Sequence, residues 1–195
     1  MDTDEELVAR LRAGDERAFA VMVDRYHSRL IGLARQFVPS HDAAEDVAQE
    51  TWLAVFRSVD RFEGRAPFRT WLFQVCVNRA RTAGAKDGRH VASSRTAPSV
   101  DSDRFGADGG WIRPPEHWAD RVDDQLTAVG LAARARAAIE HLPGLQNVVV
   151  TLRDVEGLTS EEVADVLSIT DANQRVLLHR GRATVRRALD AWVRS

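Results

Sequence analysis

Arg175, His179, Arg182 and Arg186 recur at i, i+4, i+7 and i+11, a spacing that puts all four on one face of a helix. Guanidinium groups in such a row can hold phosphate oxygens, and an arginine fork can also read the edge of a base. Leu178, Gly181, Val185, Leu189 and Trp192 form an apolar stripe about 100° around the same helix. From Ala172 to Ser195 six arginines stand against a single acid, Asp190. Alone, such a charge run describes a solvated helix end. The residues before it point elsewhere.

Thr159-Ser160-Glu161-Glu162 fits a capping box, in which the Thr159 hydroxyl and the Glu162 carboxylate each satisfy an orphan backbone donor. Leu158 and Val163 take the hydrophobic-staple positions around it, and Val163, Ala164, Val166 and Leu167 face a core. Thr170 then caps a second, longer helix. Two capped helices joined by a tight turn, the second very basic, make a helix-turn-helix suited to duplex DNA. Asn173 and Arg175 open the recognition helix, where side chains reach major-groove edges; His179 and Arg182 continue that face. Arg180, Arg186 and Arg187 are placed for phosphates. Gly181 is expected to weaken the helix by about 1 kcal/mol relative to alanine.

A second basic island runs from Arg65 to His90, with Arg65, Arg69, Arg79, Arg81, Lys86 and Arg89 against Asp87. The two islands hold 12 of the 27 Lys+Arg but only 2 of the 29 Asp+Glu, which reconciles a net charge of -2 with nucleic-acid binding. The rest of the chain is acidic and must serve other contacts.

Other chemistry is poorly supplied. Cys76 is the one cysteine among 195 residues, so neither an internal disulfide nor a thiolate cluster is possible. There is no glycine-rich phosphate loop, no metal-spaced His/Cys cluster and no nucleophile paired with a base. The expectation is a non-enzyme with no cofactor and no metal. Hydrophobic residues at 44% and charged residues at 29% suit a globular protein. No apolar run approaches a membrane span and the first residues are too charged for a signal peptide, so a cytoplasmic protein is expected.

The elements that must position these residues are all helical. A short helix is expected over about Thr3–Ala13 and a long one over about Asp15–Phe37, with Phe19, Met22, Tyr26, Leu30, Leu33 and Phe37 at steps of three or four. A third starts at Ser40 or His41, burying Val47, Thr51, Val55 and Val59, with Trp52 and Phe56 alongside. Pro67 suits the first turn of a fourth, ending near Ala85. From Gly88 to Asp124 the period disappears among breakers such as Gly109-Gly110 and Pro114-Pro115, with Trp111 and Trp118 on either side of the proline pair. Further helices follow over about Asp124–His141 and Leu145–Val155. The expected fold is all-α: an N-terminal helical bundle (1–88), a flexible linker (89–124) and a C-terminal helix-turn-helix domain (125–195).

Two ordered blocks resemble a family. Asp46-Val47-Ala48-Gln49-Glu50-Thr51-Trp52, Phe68-Arg69-Thr70-Trp71-Leu72 and Asn78-Arg79-Ala80-Arg81 are similar to the second conserved region of extracytoplasmic-function (ECF) sigma factors of the sigma-70 family. Leu142-Pro143 through Leu189, with Glu156-Gly157-Leu158-Thr159, Glu161-Glu162-Val163-Ala164 and Leu178-His179-Arg180-Gly181-Arg182, resembles the fourth. The resemblance implies transcription initiation with core RNA polymerase and promoter DNA as partners, and in many members an anti-sigma factor. It implies that Asp46, Gln49, Glu50 and Trp52 dock on the polymerase's coiled coil; Trp52 fits either an anchor beside that face or a core position.

It also implies that the downstream promoter element is held as a single strand by Arg65, Trp71, Gln74, Asn78, Arg79, Arg81 and Lys86. Unpaired base edges suit Gln74, Asn78 and Arg81, bordered by Trp71, while the preceding loop or an aromatic holds an extruded base. Phe68 and Phe73 are expected in the core. The chain departs from the family at Gln174, commonly a buried valine, at Val176-Leu177, where a polar or basic residue is frequent, and at Gly181, more usually alanine. The competing reading is a one-component helix-turn-helix repressor, which has no need of the Asp46-to-Trp52 face.

Overall fold

The computed structural model describes residues 2–86 and 125–193. The expected linker, with Trp111, Trp118 and Arg89, lies outside the described residues. The chain divides into two compact units, Met1–Val91 with Glu161–Ser168 and Ala92–Ser160 with Ile169–Ser195. No strand occurs among the described residues, and no described helix is long and apolar enough to cross a membrane.

The first unit is built on helices whose starts are written in side chains. Helix α1 (Asp4–Arg12) begins in a reciprocal capping box: Glu6 N donates to Thr3 Oγ1 at 3.2 Å and Thr3 N donates to Glu6 Oε2 at 2.8 Å. Helix α2 (Glu16–Ala34) is capped by Asp15, which accepts from Arg17 N at 2.9 Å. Arg10 hydrogen-bonds to the same carboxylate and holds it below the usual range. Helix α3 (His41–Ser58) is capped by Ser40, whose Oγ accepts from Ala43 N at 3.1 Å. It closes in a 3-10 turn, Val59–Arg61. Helix α4 (Phe68–Lys86) starts directly after Pro67, whose carbonyl accepts the first intrahelical bonds from Thr70 and Trp71.

The expected apolar positions fill the core between these helices. Met22, Tyr26, Leu30, Leu33 and Phe37 meet Val47, Val55 and Val59, and Phe68, Leu72, Phe73 and Cys76 from α4 join them. Phe19 is only half-buried. Thr51, wholly buried, satisfies its hydroxyl by donating to Val47 O at 2.7 Å.

In the second unit α5 (Gln125–Glu140) and α6 (Leu145–Val150) pack on α8 (Asp171–Val193). Asn147, buried, donates from Nδ2 to Ile139 O at 2.6 Å and ties α6 to α5. Helix α6 runs into a single π-helical turn, Thr151–Val155, a widening that the sequence does not announce. Arg153, in that turn, hydrogen-bonds to Leu158 O. Helix α7 (Ser160–Leu167), whose residues from Glu161 on belong to the first unit, ends at Ser168, whose φ of 50° is left-handed. Thr170 Oγ1 accepts from Asn173 N at 3.2 Å, the cap expected for α8.

Candidate functional site

Helix α3 offers the acceptor face. Asp46, Gln49 and Glu50 are all exposed, as their spacing of three and four requires. Leu53, three residues beyond Glu50 and 55% exposed, lies in the same row. Sequence reasoning missed it because an apolar residue at helical spacing reads as core. Trp52 has to be corrected. It is 6% exposed, its edge meets Phe19 at 5.6 Å, and Nε1 donates to His27 Nδ1 at 3.3 Å. It belongs to the α2–α3 packing, about 110° around the helix from the centre of the acceptor row, and is not available as a surface anchor. Phe56, expected beside the core, is 63% exposed.

Helix α4 carries the downstream set on two sides. Asn78 and Lys86 are exposed; Gln74, Arg79 and Arg81 are half-buried. Within the first unit, Arg81 Nη2 donates to Leu167 O at 2.8 Å and Gln74 Nε2 to Asp165 O at 3.5 Å. Thr70 donates to Glu162 Oε1 at 2.8 Å, so the carboxylate assigned to capping α7 also serves α4. Arg81 lies 5.8 Å from the Phe37 ring centroid, and burial lowers its pKa. On the other side, Asn78, Arg79, Thr82 and Lys86 line a groove of about 510 Å³ closed by Glu50 of α3.

Trp71 is half-buried against Phe62 and Phe68, at 5.0 and 5.8 Å between centroids. Phe68 and Phe73 are core residues, as expected. The loop before α4 is fixed from α1: Arg12 Nε donates to Val59 O at 3.0 Å and Arg12 Nη2 to Phe62 O. A second hollow of about 420 Å³ lies between α1 and this loop, lined by Val8, Arg12, Gly64 and Pro67 among others. Arg65 is exposed and pairs with Glu63 at 2.5 Å.

In α8 the arginines divide by partner. Arg182, expected on the base-reading face, makes a two-pronged pair with Asp154 of the π-helical turn, Nε to Oδ2 at 2.9 Å and Nη2 to Oδ1 at 2.6 Å. Both donors committed there point its fork into the unit, which removes it from the base-reading row. Arg175 and Arg186 pair with acids one turn away, Asp171 and Asp190, each at 3.4 Å. Arg187 is exposed and donates to Thr184 Oγ1 at 3.2 Å. Asn173, His179 and Arg180 are half-buried. Partial burial, then the neighbouring Arg180 charge, lowers the His179 pKa.

The departures from the family pattern acquire physical content. Gly181 is not simply a weak helix former: a Cβ there would sit 2.5 Å from Val150 Cγ2 and 3.4 Å from Gln146 O, so α6 and α8 approach through it. Gln174 is wholly buried, with neither amide Nε2 nor Oε1 partnered among the described residues, an arrangement that costs about 1–3 kcal/mol. Val176 is 46% exposed and Leu177 buried.

Among the described residues no cluster of His, Cys, Asp or Glu could hold a metal ion. Residues 22–90 match the family model for sigma-70 region 2, and residues 132–185 that for sigma-70 region 4. The RNA polymerase sigma-H factor of Pseudomonas aeruginosa is 30% identical over 99% of this chain and 97% of its own length. The ECF RNA polymerase sigma-E factor of Escherichia coli K12 is 30% identical over 98% and 97%. Among solved structures, CnrH in complex with the cytosolic domain of CnrY aligns with a TM-score of 0.58 at 25% identity, covering 97% of this chain and 99% of CnrH. The sigma factor RpoE of Bartonella quintana, in complex with the anti-sigma factor NepR, shares the fold with a TM-score of 0.56 at 21% identity, covering 88% and 96%. The repressor reading is not favoured, because both halves match sigma regions in the sigma order. The chain belongs to the ECF group of the sigma-70 family, the RNA polymerase sigma factors that initiate transcription.

Proposed function

We propose that this sigma factor meets core RNA polymerase through the exposed row on α3, with Asp46, Gln49 and Glu50 as acceptors for basic groups and Leu53 as their apolar centre. The observation that carries this reading is that these four side chains are exposed along one helix face inside the stretch matching sigma-70 region 2. Trp52 supports that face from beneath. Downstream promoter DNA is then held as a single strand along α4, with Asn78 and Gln74 on base edges and Arg79, Lys86 and Arg65 on phosphates. The loop before α4, anchored by Arg12, holds an extruded base beside Trp71.

The start of α8, through Asn173 and Arg175, reads the upstream element in the major groove, and Arg180, Arg186 and Arg187 hold its phosphates. Arg182 sets the π-helical turn instead. The protein contributes recognition and strand capture in the cytoplasm and performs no catalysis of its own. An anti-sigma factor is a fitting regulator, since the solved sigma factor from Bartonella quintana is seen with one.

Run-off transcription with purified core polymerase on a fragmented genomic template tests this. Discrete transcripts with the wild-type chain, lost in Asp46→Ala/Gln49→Ala, are the expected result. Transcripts unchanged by the double substitution would overturn the docking assignment.

A further inference from the structure

Glu50 and Arg79 belong to the two surfaces just assigned, yet they touch. Arg79 Nη1 donates to Glu50 Oε2 at 3.3 Å, across the groove that Asn78, Thr82 and Lys86 also line. Glu50 is the one acid among the residues lining that groove, and Arg79 and Lys86 are its cations. The bond to Glu50 is single-pronged, through Nη1 alone, and the Arg79 Nε is buried with no partner among the described residues. A carboxylate and a phosphate present the same two-oxygen edge to an arginine fork.

We propose that in the chain without polymerase the Glu50 carboxylate occupies Arg79 in place of a strand phosphate, so that a basic partner drawing on Glu50 releases Arg79 to the DNA. This rests on the sigma reading above, in which Glu50 faces polymerase and α4 faces the single strand of downstream promoter DNA. The coupling is reciprocal: a phosphate on Arg79 frees Glu50 for its partner by the same factor. Glu50 and Arg79 have side chains 64% and 37% exposed, so the effect is limited to that of a solvated ion pair, about two- to five-fold in affinity. A small factor of this kind sharpens the order of assembly, polymerase first and strand second.

The test measures binding of a dye-labelled, mixed-sequence single-stranded DNA 12-mer to the full chain at low salt by fluorescence anisotropy. Glu50→Gln is expected to bind about two- to five-fold more tightly than wild type. Asp42→Asn, which removes an equal charge from the same helix without an Arg79 contact, is expected to match wild type. In an Arg79→Lys background the Glu50→Gln gain shrinks, and in Arg79→Gln it vanishes; circular dichroism melts establish that each variant is folded. Adding core polymerase at saturation is expected to abolish the Glu50→Gln advantage.

An unchanged affinity in Glu50→Gln would overturn the proposal, as would an equal gain in Asp42→Asn or a gain that persists in Arg79→Gln. No strand binding by the wild-type chain at low salt would overturn it too, because the groove would then take no phosphate. The sigma reading is judged separately by the Asp46→Ala/Gln49→Ala transcription experiment, which does not involve the Glu50–Arg79 pair.

Discussion

The two basic helices solve opposite problems with the same side chains. Helix α8 keeps three of its arginines, Arg175, Arg182 and Arg186, beside acids of its own unit, Asp171, Asp154 and Asp190. Helix α4 has no acid within it, and Arg79 and Arg81 reach other elements, Glu50 of α3 and the Leu167 carbonyl. Within α8, a two-pronged bond to another element sets Arg182 apart from arginines with a single-pronged partner one turn away. The one-turn pair of Arg175 with Asp171, 57% and 55% exposed, is of small worth and a phosphate replaces it readily. A partner 28 residues away, as for Arg182, fixes two elements together.

The comparison is broken most strongly where α8 meets α6. Gly181→Ala pits a helix-propensity gain of about 1 kcal/mol against a methyl 2.5 Å from Val150 Cγ2. The clash wins in a packed core, and urea denaturation is expected to show a net loss of about 1–3 kcal/mol. Next, Asp154→Asn leaves the Arg182 fork without its charge. With these side chains 31% and 25% exposed, the expected loss is about 1–2 kcal/mol. Asp171→Asn, removing the neighbouring one-turn pair, should cost well under that, and equal losses in the two variants would refute the distinction.

Gln174→Met moves the other way. It keeps the volume, removes two buried unpartnered polar atoms, and is expected to raise stability by about 1 kcal/mol with upstream-DNA affinity unchanged. Smaller still is Lys86→Ala, which should lower the slope of log K against log salt for single-strand binding by about 1, uniformly across sequences. The smallest effect is that of pH. The His179 pKa is lowered below its ordinary 6.5 by partial burial, so the unfolded chain binds the proton more readily. Stability is therefore full above 6.5 and declines as pH falls through 6.5 toward the folded-state value. His179→Gln should flatten that decline in a melting series.

Much of this was legible in the sequence because it is local. Ser40 and Thr170 announce their helices by a side-chain oxygen next to an apolar period, and Pro67 marks the start of α4. The exposed row Asp46, Gln49 and Glu50 follows from spacing alone. Long-range geometry was not legible. Nothing within α8 says that Arg182 turns toward Asp154, because a π-helical turn brings that carboxylate into reach. Gly181 reads as a weak helix residue until Val150 is seen against it. Trp52 and Leu53 are adjacent in sequence with one rotation of 100° between them, and only the position of α2 decides which is buried.

Cys76 carries one consequence for the bench. Its thiol lies under α2, 3.7 Å from Leu30 O, and burial pushes its pKa up to about 12. At pH 8 the reactive thiolate is then a very small fraction of the molecules. The native protein is thus a silent background for maleimide chemistry, and a single cysteine introduced on an exposed position of either unit will take a dye alone. Two such cysteines, at the exposed Glu16 and Glu140 for example, would turn the distance between the units into a fluorescence signal that can be followed as polymerase and promoter are added.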